Sequence, residues 1–307
     1  MKKTLKTLTS LMLAFGLAAC GASSGGSAAP SEKPAQSADA AATAEAQGSG
    51  KKIGIILVGD ENEGYTYAHM VGIREAAKGL GIADEDILWK YTIGEDQSCY
   101  DAAVDLIENG ATLVISNSYG HQSYMQQAAQ EYPDVTFVAD TGDTAAVSGL
   151  ANFKNAFTAV YESRYVSGVV AGMKLAELET AGQIPAESYK DGKVLIGYVG
   201  AYPYAEVVSG YSSFYLGAKS VCPSVTMDVK FTGSWYDEKA EKEAAQALIA
   251  NGCVLISQHA DSMGAPTACE TANVPNVSYN GSTEAACPNT FIVSSRIDWT
   301  PYFKYMI

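Results

Sequence analysis

Six carboxylates, Asp60, Glu61, Asp140, Asp143, Asp237 and Asp261, each sit close behind a short aliphatic run that reads as a strand, where a side chain is held firmly enough to bind a ligand. A carboxylate offers two strong acceptor oxygens, which suits the hydroxyls of a sugar or a nucleoside. Paired acids could also hydrolyse a glycoside, but nothing in the sequence fixes a separation between any two of them. Asp143 and Asp237 read equally as helix N-caps or solvated charges; Asp140 and Asp261 are the acids favoured for ligand contact. The same predicted loops carry Tyr65, Tyr67, Tyr119, Tyr202, Tyr204, Trp235 and Tyr236, with Tyr211 one helical turn further in. Flat rings beside neutral donors and acids suit a planar, polar, uncharged ligand, because ring faces stack while polar groups select orientation. Taken singly, each tyrosine reads more readily as an amphipathic side chain covering an edge; the set makes the binding argument. The histidines, His69, His121 and His259, have no metal-ligand spacing, so no metal site is expected. His121 and His259 each follow the third strand of a half and could face each other across a cleft. No phosphate-binding loop, dinucleotide fingerprint or nucleophile elbow occurs beyond the leader, so no cofactor and no catalytic residue is expected.

These residues need elements to position them. From residue 52 short aliphatic runs alternate with helix-length amphipathic segments: strands over 53–59, 87–93, 112–116 and 137–140, with helices over 65–80, 100–109 and 124–132 between them. The order recurs with strands over 194–199, 227–231, 254–258 and 277–279 and helices over 207–220, 239–251 and 266–272. Within it, DAAVDLIENG (101–110) and EAAQALIANG (243–252) share Ala-Ala-x-x-Leu-Ile-x-Asn-Gly, each leading into an aliphatic strand. Alternating strands and helices imply α/β lobes, each a parallel sheet flanked by helices, and the repeat predicts two lobes of one design. Ligands of open α/β sheets bind beyond the C-terminal ends of the strands, so the function is sought at those ends.

The composition narrows the partners. Thirty-four acids against 20 Lys and Arg give a net charge of −14, and removing a leader that carries Lys2, Lys3 and Lys6 makes the rest more acidic still. Such a surface repels phosphate backbones, which argues against nucleic-acid binding and against adsorption to a membrane through a basic patch. Residues 1–19 read as a signal peptide with a basic start and an apolar stretch too short to span a bilayer. Leu17-Ala18-Ala19-Cys20, followed by Gly21, is similar to a bacterial lipobox, which predicts lipidation of Cys20 and a location outside the cytoplasmic membrane. Residues 21–50 lack aromatic and large aliphatic side chains and read as a tether. Cys99, Cys222, Cys253, Cys269 and Cys287 remain, an odd number that reads more readily as free thiols than as bridges.

The residues also carry a family resemblance. KKIGIILVGDENEGYTYAHMVGIREAAK, the helix AVYESRYVSGVVAGMKL, and Gly-Tyr-Val-Gly, Gly-Ser-Trp and Gln-His-Ala-Asp in that order resemble the basic membrane protein, or PnrA-like, family of ABC-transporter substrate-binding lipoproteins. The resemblance implies a two-lobed, type I periplasmic-binding-protein-like fold, a permease partner, and capture of a nucleoside, often a purine one, for import; a receptor for a sugar or flavin and a nucleoside or glycoside hydrolase are the alternatives. It also implies an aromatic from each lobe on the base, matched by Tyr65 within Gly64-Tyr65-Thr66 and by Tyr211 within Tyr211-Ser212-Ser213-Phe214-Tyr215. Asp140 matches a family acid at the end of a first-lobe strand, and Asn280 stands where the family has an Asp. The expected site is therefore Tyr65, Thr66, Tyr119, Asp140, Tyr202, Tyr211, Trp235, His259, Asp261 and Asn280. The expected lobes cover residues 51–155 and 156–289, with 290–307 starting a return to the first lobe that the family continues further.

Overall fold

The computed structural model describes residues 51–307; the leader, Cys20 and the tether lie outside the described residues. The first lobe follows the predicted alternation. Strand β1 (Lys52–Ile56) leads to α1 (Gly64–Leu80), β2 (Ile87–Lys90), α2 (Gln97–Glu108), β3 (Ala111–Ser116), α3 (Gln122–Glu131), β4 (Thr136–Asp140), the single turn α4 (Ala145–Ser148) and β5 (Phe153–Ala156). The strands form one parallel sheet in the order β2-β1-β3-β4-β5. Ile53–Ile56 are buried without alternation, as expected for a strand with both faces covered.

A long helix, α5 (Val160–Thr180), carries the chain into the second lobe. There β6 (Tyr189–Lys190), β7 (Lys193–Gly200), α6 (Ala205–Val221), β8 (Val225–Phe231), α7 (Glu238–Ala250), β9 (Ile256–His259), α8 (Gly264–Ala272), β10 (Asn276–Tyr279) and β11 (Phe291–Ser295) follow. Apart from the two-residue antiparallel β6, the order is β8-β7-β9-β10-β11. This is the first sheet again, strand for strand. The sequence repeat falls on the same element in each lobe: α2 and α7 are N-capped by the side chains of Asp96 and Asp237 and end on Asn109 and Asn251. Gly110 and Gly252 follow with φ of 97° and 94°, a backbone region open to glycine at little cost. Asp237 is thus a helix cap and lies outside the cleft lining.

The return to the first lobe comes later than residue 290. Phe291–Ser295 pairs with β10 as the fifth strand of the second sheet, which satisfies its backbone there. The chain then places Trp299 and Phe303, on α9 (Thr300–Met306), in the first-lobe core beside Ile53, Met70 and Ile73. In the second lobe α5 and α6 touch backbone to backbone, because a Cβ on Gly168 would strike the Phe214 carbonyl and one on Gly217 the Tyr165 carbonyl. Arg164 of α5 is fully buried. Its Nη1 donates to the Ser278 carbonyl (3.2 Å) and Ser295 Oγ (3.0 Å), and its Nη2 to the Tyr198 hydroxyl (3.1 Å) and Ser257 Oγ (2.5 Å), so it binds four of the lobe's strands without a carboxylate partner. Cys99, Cys222, Cys253, Cys269 and Cys287 are buried and unbridged.

Candidate functional site

Strand order 2-1-3 reverses direction beside the first strand of each sheet, which opens a crevice at the C-terminal ends. A cavity of about 580 Å³ occupies that position, walled by both lobes. The first-lobe wall comes from the turn after β1 (Val58–Glu63, with Tyr65), the loop after β2 (Thr92, Glu95), the loop after β3 (Asn117–Tyr119) and Thr141 after β4. The second-lobe wall is Tyr202, Glu206, Ser234, Trp235, Tyr236, His259, Asp261 and Tyr279.

The first wall is tied together by its own hydrogen bonds. Asn117 Oδ1 accepts from the Val58 amide (2.9 Å), its Nδ2 donates to Thr66 Oγ1 (3.3 Å), and its carbonyl accepts from the Tyr65 hydroxyl (2.5 Å). Thr66 Oγ1 donates to Glu63 Oε2 (2.5 Å). Glu95 Oε1 accepts from Ser118 Oγ (2.6 Å) and the Gly120 amide (2.8 Å), pinning the loops after β2 and β3 to each other. Burial raises the Glu63 carboxyl to about 7, against the lowering effect of its Thr66 bonds.

The second wall holds buried polar atoms without partners: the Tyr279 hydroxyl, both ring nitrogens of His259, and the Trp235 indole N–H. His259 rests on Tyr279, ring centroids 4.2 Å apart, and fits only because Gly210 of α6 leaves room where a Cβ would strike Nδ1. Glu206 Oε1 stands 3.5 Å from His259 Nε2. Burial pushes the imidazole below its usual range, so at neutral pH it is uncharged and this is no ion pair. Asp261 accepts from Asn280 Nδ2 (2.9 Å), and its amide donates to the Trp235 carbonyl (2.9 Å), joining the loops after β9 and β8. Burial, then Glu63 across the cleft, holds the Asp261 carboxyl well above the usual carboxylate range.

Rings bridge the two walls. Tyr119 of the first lobe stacks on Tyr204 of the second (5.0 Å, 30°), Tyr204 on Tyr202 (4.9 Å, 12°), and Tyr202 meets Trp235 edge-on (5.3 Å, 65°). The lining carries five carboxylates, Asp60, Glu63, Glu95, Glu206 and Asp261, and no lysine or arginine. Among the described residues no group of three or more His, Cys, Asp or Glu could hold a metal ion, and no helix is long and apolar enough to cross a membrane.

Of the residues expected from sequence, the cleft brings together Tyr65, Tyr119, Tyr202, Trp235, His259 and Asp261. Four others lie elsewhere. Thr66 is buried one layer back, holding Glu63 and Asn117. Asn280, at φ 60°, orients Asp261. Asp140 is buried, its Oδ1 accepting from the Tyr302 hydroxyl of α9 (2.6 Å) and its carboxyl pushed up to about 8 by burial. Tyr211 packs into the second-lobe core against Tyr198 (5.9 Å) and Phe231 (6.4 Å), so the ring opposite Tyr65 is not Tyr211; the second-lobe rings lining the cleft are Tyr202, Trp235, Tyr236 and Tyr279. His121 is turned inward, with Nε2 3.0 Å from the Ile93 carbonyl, and does not face His259. Asp143 accepts from the Tyr119 hydroxyl (3.3 Å) beside the cleft. The strand-end reading passed over Thr92 and Glu95, although the loop after β2 is a strand end like the others, and it gave no role to Glu206, whose only signal is its place in the first turn of α6.

The comparisons with known proteins agree with this architecture. A purine-binding protein of Brucella abortus is 30% identical over 253 residues, covering 82% of this chain and 66% of that protein. A protein of Haloferax volcanii named for glucose binding in an ABC transporter is 32% identical over 191 residues, covering 62% of this chain and 44% of that one. The chain thus spans less than two thirds of the length of either relative. Among solved structures, an ABC transporter solute-binding protein of Aeropyrum pernix superposes with a TM-score of 0.66 at 15% identity, over 83% of this chain and 69% of that one, a likeness of fold. Residues 51–307 match the family described as ABC transporter substrate-binding protein PnrA-like, and with parallel sheets in two repeated lobes around one cleft, the chain belongs to that family.

Proposed function

We propose that this protein is the solute receptor of an ABC importer, held outside the cytoplasmic membrane by a lipid on Cys20, and that it captures a nucleoside, a purine one first, between its lobes. The observation that carries the reading is the character of the cleft: rings from both lobes, and partnerless buried polar atoms on Trp235, His259 and Tyr279. Buried polar groups without partners cost free energy, and a ligand with its own donors and acceptors supplies what they lack. The base stacks among Tyr65, Tyr119, Tyr202 and Trp235, while its hydroxyls donate to Asp261 and Glu206. Because the ligand touches both walls it favours the closed arrangement, which is the form a permease would recognise. Thr66, Asp140 and Asn280 act through their neighbours. No bond is made or broken.

The purine-binding relative supports the cargo; the relative named for glucose supports a second reading, a sugar bound by the same carboxylates. Thermal-shift measurements with purine nucleosides, pyrimidine nucleosides, riboflavin and glucose separate them, since a ligand at 100 times its Kd adds about 2.7 kcal/mol to stability. A shift with purine nucleosides and none with glucose supports the first reading; the reverse replaces it. Release of free base during the same incubation, seen by chromatography, would make the protein a hydrolase instead.

A further inference from the structure

The cleft's charge carries a selection that the proposed function leaves unspecified. Its five lining carboxylates come from both walls, and the one imidazole among them is held neutral by burial. Glu63 is 7% exposed on the first wall, and it is the nearest charge opposing ionisation of Asp261 on the second. Two helix N-termini open toward the cavity, and such ends attract anions through their free amides. Both are already occupied by acids: Glu63 is the N-cap of α1, and Glu206 lies in the first turn of α6. The unpartnered buried atoms that point to a ligand, the Tyr279 hydroxyl and the His259 nitrogens, can each accept or donate and ask for no negative charge.

We propose that the cleft rejects anionic ligands, so that the phosphorylated form of its own ligand is excluded, with Glu63 and Asp261, facing each other across the lobes, as the selecting pair. This rests on the solute-receptor reading above and goes beyond it by naming what the receptor refuses. A phosphate at the ligand's hydroxyl end would sit beside carboxylates in a poorly hydrated site, where like charges repel far more than in water. The uncharged parent donates hydroxyl hydrogens to the same groups.

The test uses the full chain and matched pairs, adenosine with adenosine monophosphate, glucose with glucose 6-phosphate and riboflavin with flavin mononucleotide, titrated calorimetrically at pH 7.5. The neutral member of the binding pair should win by at least a hundredfold. In the Glu63→Gln, Asp261→Asn double variant that ratio should shrink at least tenfold; damage to the fold would weaken both members alike and leave the ratio unmoved. Glu206→Gln, which keeps the cross-cleft pair, should shrink it less. Equal affinity for both members, or an unchanged ratio in the double variant, overturns the proposal. A sugar bound with its phosphate refused would sink the nucleoside reading and leave the charge filter standing; binding of a phosphorylated member alone would sink both.

Discussion

The two walls of the cleft come from sheets of identical strand order, yet they spend their polar groups differently. On the first-lobe wall Asn117, Thr66, Glu95 and Tyr65 are consumed by bonds to their own neighbours. On the second, the Trp235, His259 and Tyr279 atoms are buried and unmatched. One wall is a finished surface and the other is an incomplete one. The difference teaches that a repeated scaffold need not repeat its roles: first-wall substitutions should register as lost stability, second-wall substitutions as lost binding.

The largest effect should come from pH, through the acids buried behind and in the first wall. Asp140 has its carboxyl raised to about 8 and Glu63 to about 7. A raised carboxyl means the folded state holds its proton more tightly than the unfolded state, so the stabilisation is complete below the unfolded value near 4. It drains as pH climbs through the folded value, at up to roughly 1.4 kcal/mol per pH unit for each group. Chemical denaturation from pH 4 to pH 8 should show stability falling, and Asp140→Asn should flatten most of that slope. A slope unchanged in the variant would break the assignment.

Next in size is Asn117→Ala, which leaves the Val58 amide and the Tyr65 hydroxyl without their present support; about 2 kcal/mol of unfolding free energy should go. Tyr279→Phe on the other wall removes a hydroxyl with no partner. It should leave ligand-free stability within about 0.5 kcal/mol while weakening the ligand about tenfold, near 1.4 kcal/mol. If Tyr279→Phe unfolds the protein as Asn117→Ala does, the two walls are alike after all. The smallest effect is expected at Tyr211→Leu: about 1 kcal/mol of core packing lost and less than a twofold change in affinity by titration. A tenfold loss there would return Tyr211 to the ligand.

Much of this was legible before any coordinates. Periodicity located the strands and helices within a few residues, because a buried parallel strand and an amphipathic crossover helix impose different spacings on apolar residues. The repeated Asn-Gly pair marked the same helix end in both lobes, since only a residue tolerant of positive φ turns the chain there. The strand-end rule reached Tyr65, Tyr119, Tyr202, Trp235, His259 and Asp261.

It failed at residues whose partners are far along the chain. Asp140 meets Tyr302 across 162 positions, and Arg164 meets Ser278 and Ser295 across more than 110. Tyr211 looks the same in sequence whether its ring faces ligand or core; its rotation about α6, set by Tyr198 and Phe231, decides.

The sequence by itself determined the element order, the duplicated lobe design and the family, because these are written in local spacing and in neighbouring residue types. Only the tertiary structure decided which strand-end side chains are spent on the scaffold and which stay open to a guest. A hydrogen bond is satisfied or left unsatisfied by whatever the fold brings within about 3 Å, and that neighbour is rarely next in the chain.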